Sequence, residues 1–326
     1  MKYSSWLRMC FALCLFHLAP LLHVGAACAA YPDKTIRIVV SNAPGGPTDA
    51  LARVLAHEFA PLLGGTVIVE NKPGAASNIG ITSVARAEPD GYTLLVTTGA
   101  ITVNPALSDK LSYDPLTDFS PICLIATSPV VIAAASTLGV ASMGELIKLA
   151  KQQPDLLSYS SPGWGTASNF AAELLKFKSG LKMAHVPHTG AAPATQAVLS
   201  GAVQLTSNAL DSVQPSIEAG HLKGLAVTSA KRWRGLPDVP SLMELGLAEA
   251  PIEFMVALFA PARTPTAIVT RLSELSRQVL QRPDVNARLN GLGLDIIAGT
   301  PDDLKNRIAT EIVFYRELAA KTGLRQ

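Results

Sequence analysis

The chain has 326 residues, 48% hydrophobic and 16% charged, with 27 basic against 25 acidic side chains. This balance sets up no basic field for nucleic acid or an anionic membrane surface. Four cysteines are too few for a disulfide scaffold, and the length exceeds what one core usually holds, so two lobes are expected.

Lys2 and Arg8 precede an apolar run, Met9 to Leu22, which ends in the small residues GAACAA. That is the pattern of a secretory signal over residues 1–30, cleaved after Ala29 or Ala30, which directs the mature chain to the periplasm. A lipoprotein reading at Cys28 lacks the Leu it needs at Gly25. Without the signal, 25 basic residues face 25 acidic ones, and any anion recognition must be local. Only Cys123 remains, in PICLIA, where a buried inert thiol is expected. No later segment has 18 unbroken apolar residues, so no membrane-spanning helix is expected.

Thr35 to Val40 reads as a strand, and Leu51, Leu55, Phe59 and Leu62 as one face of a helix. Between them lies Ser41 to Asp49, SNAPGGPTD. Gly45 and Gly46 allow a sharp turn, and Pro47 suits the first helical turn. The N–H groups around Gly45, Gly46, Thr48 and Asp49 have no intrahelical acceptor and suit an anion. Asp49 would repel one, so its carboxylate is expected to cap backbone N–H groups. Gly64-Gly65 ends the helix. Thr66 to Glu70 is a strand, Asn78 opens a short helix, and Tyr92 to Thr98 is a third strand. Such alternation implies a mainly parallel sheet with ligands beyond the strand C-termini. Asn42 to Asp49 and Thr97 to Gly99 then share one edge.

Leu111 to Pro121 reads as irregular, with a first crossing between lobes near Ser128-Pro129. Ser142 and Glu145 form a capping box that opens a helix. Leu156 to Ser161 is a strand running into PGWGTASNF, then a helix with Phe170, Leu174 and Phe177 inward. The opening device thus recurs, with Ser161, Gly163, Gly165, Thr166 and Ser168 offering small side chains and N–H groups. Gly163-x-Gly165-x-x-Ser168 only half-matches a dinucleotide fingerprint, because its last glycine is missing. Further strands are expected at Ala184 to His188, Val203 to Ser207 (ending at Asn208 and Asp211) and Gly224 to Thr228. Ser241 with Glu244 repeats the capping box. Phe254 to Pro261 is the return crossing. Helices from Thr266 and Pro283, a strand at Asp295 to Ile297, and a long helix opened by Thr300-Pro301-Asp302-Asp303 complete the chain. The lobes are therefore 31–127 with 254–326, and 128–253.

Catalytic signatures are weak. There is no G-x-S-x-G elbow, H-E-x-x-H pair or clustered Cys/His spacing, and Ser161 has no obvious base. No metal or cofactor is implied. His57 reads as solvated and His185 as structural, while His188 is a candidate for the cleft. Trp164 is either core or a binding reporter.

The ordered set YPDKTIRIVVSNAPGGPTD, VIVENKPGAASNIG, PDGYTLL, NPAL, SYDPLTDFSPI, SYSSPGWGT, HVPHTG, AVTSAKRWRGLPDVPS and LFAPARTP resembles the Bug-type (tripartite tricarboxylate transporter) periplasmic solute-binding proteins. The resemblance covers the whole mature chain. It implies an α/β, type II-like Venus-flytrap fold, monomeric, not an enzyme, holding a small carboxylate through main-chain N–H groups. It implies membrane components of the transporter as partners, with a sensor kinase as the alternative. It implies ligand contacts from Gly45, Gly46, Thr48, Thr97 and Thr98 in the first lobe, and from Ser161, Gly165, Thr166 and Asn208 in the second. The chain departs from the family pattern at Asn42-Ala43, at His188-Thr189, in lacking the usual Trp before LFAPA (Met255 is nearby), and at Asn208 in place of a common Asp. Loss of that negative charge favours a simple carboxylate over an amino acid.

Overall fold

In a computed structural model that describes residues 31–325, strands and helices alternate along most of the chain. The signal segment and its cleavage point lie outside the described residues. β1 (Ile36–Val40) is flanked by β2 (Val67–Asn71) and β3 (Thr93–Thr98), both parallel to it. Parallel strands buried on both faces need continuous apolar runs, which IVV in β1 and LLV in β3 supply, Arg37 standing exposed at the start of β1.

Helix α1 (Pro47–Leu63) carries Leu51, Leu55 and Phe59 fully into the core and stops at Gly64, whose φ of 69° is left-handed. Leu62, expected on the same face, is 38% exposed, in a last turn that also exposes Pro61 and Gly64. α2 (Asn78–Ala85) follows β2. α3 (Ala100–Leu107) follows β3 directly; the sequence reading had no helix there, because Pro105 interrupts its pattern.

β4 (Phe119–Ala135) is one 17-residue strand. The irregular segment expected up to Pro121 is thus shorter, and its last residues are strand. Two prolines inside a strand are tolerated where pairing is irregular, and the register does shift after Pro121. Up to Pro129, β4 pairs with β9 (Glu253–Pro261); from Val130 it pairs with β7 (Leu205–Ala209) and β8 (Leu222–Val227). β5 (Ser158–Ser161) lies parallel to β7 and to β6 (Ala184–Pro187). The order is β2-β1-β3-β9-β4-β7-β5-β6, with β8 and β10 (Asp295–Gly299) also on β4. The outer strands of each half are parallel, and the antiparallel pairings belong to the strands around the centre.

The second half carries α4 (Met143–Gln152), α5 (Ala167–Ser179), α6 (Ala191–Leu199) and α7 (Leu210–Glu218). Ser142 caps α4, its Oγ accepting the Glu145 N–H. Ser241 accepts from the Glu244 N–H in the same way, but only a turn follows, and the Glu244 carboxylate pairs with Arg232 instead. Phe177, expected inward, is 52% exposed in the last turn of α5. α8 (Thr266–Leu280), α9 (Pro283–Asn290) and α10 (Pro301–Thr322) return to the first half, α10 opening on a full capping box of Thr300 with Asp303. Cys123 is buried and inert, its thiol pushed up to about 12 by burial. One core cluster joins the halves: Val103, Val130, Phe170, Ile252 and Tyr315 pack together, with the Phe170 and Tyr315 rings 5.0 Å apart.

Candidate functional site

Between the two halves lies a cavity of about 290 Å³. One wall carries Asn42, Ser77, Thr98 and Asn104; the other carries Trp164, Gly165, Thr166 and Ser168. Its floor is Val130, Glu253 and Phe254, where β4 and β9 run between the halves, with Tyr315 from α10. Thr166, Ala167 and Ser168, which open α5, line this space, and the Ala167 and Ser168 N–H groups have no intrahelical acceptor, as at any helix N-terminus.

Each half braces its glycine turn with a side chain four residues on. Gly45 donates its N–H to Asp49 Oδ2 at 3.0 Å, and Gly165 donates to Asn169 Oδ1 at 3.0 Å. Those two N–H groups are therefore engaged, contrary to the free donors expected there. Asp49 also accepts from Arg53 Nε and from the Asn71 amide, both at 3.0 Å. Burial by itself would push the Asp49 carboxyl up; Arg53, the Gly45 N–H and Asn71 outweigh it and hold it below the usual carboxylate range. Gly165 leaves no room for a side chain where α3 meets the start of α5: its φ is +69°, and an added Cβ would lie 2.2 Å from Leu107 Cδ1.

Of the candidate residues, Asn42, Thr98, Gly165 and Thr166 line the cavity. Gly45 and Gly46 open instead on a neighbouring hollow of about 570 Å³, facing Asp211 and Arg234. Thr48 and Asp49 are buried beneath the turn. Thr97 is fully buried, with its Oγ1 2.8 Å from Ser41 Oγ. Asn208 is fully buried too, donating to Ala191 O at 2.8 Å and Thr195 Oγ1 at 3.0 Å, while its Oδ1 accepts the Ala209 N–H. It shapes the wall through Ala191 and Ala209, which do line the cavity.

Sequence reasoning missed Ser77, Asn104, Glu253, Phe254 and Tyr315. The loop NKPGAASN held one signal. Ala75, Ala76 and Ser77 are consecutively left-handed (φ 48°, 52° and 73°), a conformation costing roughly 1–2 kcal/mol per residue. Asn104 holds it by donating to Ala76 O at 2.9 Å. Trp164 is a cavity wall, 48% exposed. His188 does not line the cavity.

Ser161 does have a histidine beside it: His185 Nε2 lies 2.7 Å from its Oγ. The polarity is wrong for activating a nucleophile. The Asn169 amide approaches His185 Nδ1 at 3.4 Å as a donor, which leaves the proton on Nε2, pointing at Ser161. Ser161 in turn donates to Gly163 O at 3.1 Å and is fully buried. Burial holds His185 below its usual range, so the ring stays neutral, stacked 4.7 Å from Tyr159. The pair fixes the turn. Among the described residues no cluster of metal-ligating side chains occurs, and no helix is long and apolar enough to cross a membrane.

Residues 51–324 match the sequence family described as tripartite tricarboxylate transporter family receptor. The chain belongs to that family. This receptor is 31% identical over 296 residues to the UPF0065 protein in the tcbD-tcbE intergenic region of Pseudomonas sp. strain P51, covering 90% of this chain and 88% of that one. It is 30% identical to protein BugT of Bordetella pertussis, covering 90% of each. Among solved structures it resembles periplasmic binding protein BugD (34% identity, TM-score 0.76, 90% of this chain and 99% of that one). It also resembles R. palustris Rpa4515 with adipate (32%, TM-score 0.79, 90% and 98%). A third likeness is MatC from Rhodopseudomonas palustris with bound malate (32%, TM-score 0.75, 88% and 99%). The fold of this receptor is accordingly the periplasmic-binding-protein fold. Its family and neighbours are periplasmic solute-binding proteins, not enzymes.

Proposed function

We propose that this receptor captures a small carboxylate in the periplasm, between lobes 31–127 with 254–326 and 128–253, and hands it to the membrane components of a tripartite tricarboxylate transporter. One observation carries the reading: a cavity between the halves, fronted by the residues that open α5 and lined otherwise by small, hydroxyl, amide and apolar side chains, with one carboxylate, Glu253. The adipate and malate held by two relatives support it.

The interactions are sufficient. Hydrogen bonds to a charged group contribute roughly 1.5–3 kcal/mol each. Four or five of them, less ordering costs, reach about −8 kcal/mol, a micromolar site. No arginine clamp is needed, and a site without one releases its cargo readily.

Thermal-shift screening of the mature chain against mono-, di- and tricarboxylates tests the binding step. A specific ligand raises the midpoint with concentration in proportion to RT ln(1 + [L]/Kd). A flat response across all three classes would sink the carboxylate reading. For the transport step, a deletion strain should lose uptake of that ligand; retained uptake with a lost transcriptional response would point to a sensor kinase instead.

A further inference from the structure

We infer that Glu253 sets the class of cargo: a carboxylate whose far end carries a hydrogen-bond donor, a hydroxyl or an ammonium, and not a second carboxylate. This rests on the carboxylate-receptor reading above and concerns the same cavity.

Glu253 opens β9 beside Pro129 and forms part of the cavity floor. Its Oε2 accepts from Arg307 Nη2 at 3.2 Å; among the described residues its Oε1 has no hydrogen-bond partner. Arg307 does not belong to Glu253 alone. Its Nε donates to Glu311 Oε1 at 2.7 Å, and Glu311 Oε2 accepts the Thr102 hydroxyl at 2.8 Å. One guanidinium therefore serves two carboxylates. Asp295, which also acts on Glu253, is matched by Arg234 at 3.1 Å. A net negative charge is left at the floor, on a side chain only 14% exposed. Burial pushes the Glu253 carboxyl up, and Arg307 offsets only part of this; the acceptor left for a ligand is Oε1, since Arg307 engages Oε2.

Two parts of the lining thus differ in chemistry. The helix N-terminus of α5 offers donors to an anion. The floor offers an acceptor between apolar side chains, Val130 and Phe254. A cargo carboxylate belongs at the first of these. A second carboxylate at the floor meets a like charge, whereas a hydroxyl or ammonium completes Glu253. Asn208, expected as a ligand contact, is fully buried with both amide hydrogens donated and its oxygen bonded within the protein, so it does not reach the cargo.

Calorimetry on the mature chain at neutral pH with hexanoate, adipate, 6-hydroxyhexanoate and 6-aminohexanoate tests this at constant chain length. The expected order puts the hydroxy or amino acid at least about tenfold tighter than adipate. Glu253→Gln should narrow that gap to about threefold or less while keeping the acceptor for Arg307. Adipate binding as tightly as either donor-bearing acid overturns the inference and leaves the carboxylate reading standing. A gap that persists in Glu253→Gln also overturns it, since another group then discriminates. Failure of all four acids to bind overturns the inference; failure of every carboxylate in the thermal-shift screen overturns the carboxylate reading as well. If Glu253→Gln does not fold, the wild-type order still decides.

Discussion

Asp49 and Asn169 do the same job in the two halves, and neither needs to touch the cargo. Each reaches back four residues to a glycine N–H and fixes the turn in front of its helix. Replacing Asp49→Asn keeps the shape but removes the charge shared with Arg53. Hydrogen bonds to charged groups are worth roughly 1.5–3 kcal/mol, and the half-exposed Arg53 partner puts the expected loss toward the lower end. The pH dependence has a definite sign. Asp49 is held below the ordinary aspartate value of 3.8, so its contribution is complete above that value and fades as pH falls below it. Melting curves taken at decreasing pH should show Asp49→Asn losing less across that window than the wild type. At Asn208, an aspartate cannot donate to Ala191 O, so Asn208→Asp should destabilise by roughly 1–3 kcal/mol without creating an ammonium site. A melting temperature equal to wild type, or new binding of free amino acids, would contradict this.

At the scale of elements, α5 carries the anion-facing turn. Its cap, Thr166, accepts the Asn169 N–H at 3.2 Å. Thr166→Ala should cost about 0.5–2 kcal/mol by denaturant melt and weaken ligand binding beyond that, because the same residue lines the cavity. Gly165 has two reasons to be glycine: its left-handed backbone and the Leu107 methyl beneath it. Gly165→Ala should hold α3 and α5 apart and lower ligand affinity at least about tenfold, read by calorimetry. These elements were legible in unequal measure. The glycine turns before α1 and α5, and the Thr300 cap of α10, are local devices and could be read directly. α3 could not, because Pro105 breaks its pattern; nor could the full length of β4, whose prolines read as loop until its partners β7, β8 and β9 are seen.

For the whole molecule, two side-chain links between the halves bear on capture, beside the strands that run between them and the Gly165–Leu107 approach. Behind the cavity, α10 packs on α5 through Tyr315 and Phe170. At the neighbouring hollow, Arg234 reaches from the second half to Asp295 at 3.1 Å and Asn290 at 2.5 Å, both in the first. That second link is half exposed, so it is worth about 0–1 kcal/mol. Arg234→Ala should therefore weaken ligand binding by no more than about fivefold if capture needs the halves together. Small-angle scattering of the ligand-free variant should show a larger radius than wild type. A wild-type affinity insensitive to both the substitution and salt would rule the link out.

The sequence alone determined the α/β alternation, the two glycine turns, and the family resemblance that its residues carry in order, since all of these are written in short stretches of chain. Only the tertiary structure decided which side chains meet the cargo. Asn42, Thr98, Gly165 and Thr166 face the cavity, while Thr97, Ser161 and Asn208 turn into the protein. Glu253 and Tyr315, distant in sequence, close its floor. The reason is geometric: successive residues on a strand point to opposite faces, and which face is cleft depends on where the other half of the sheet packs.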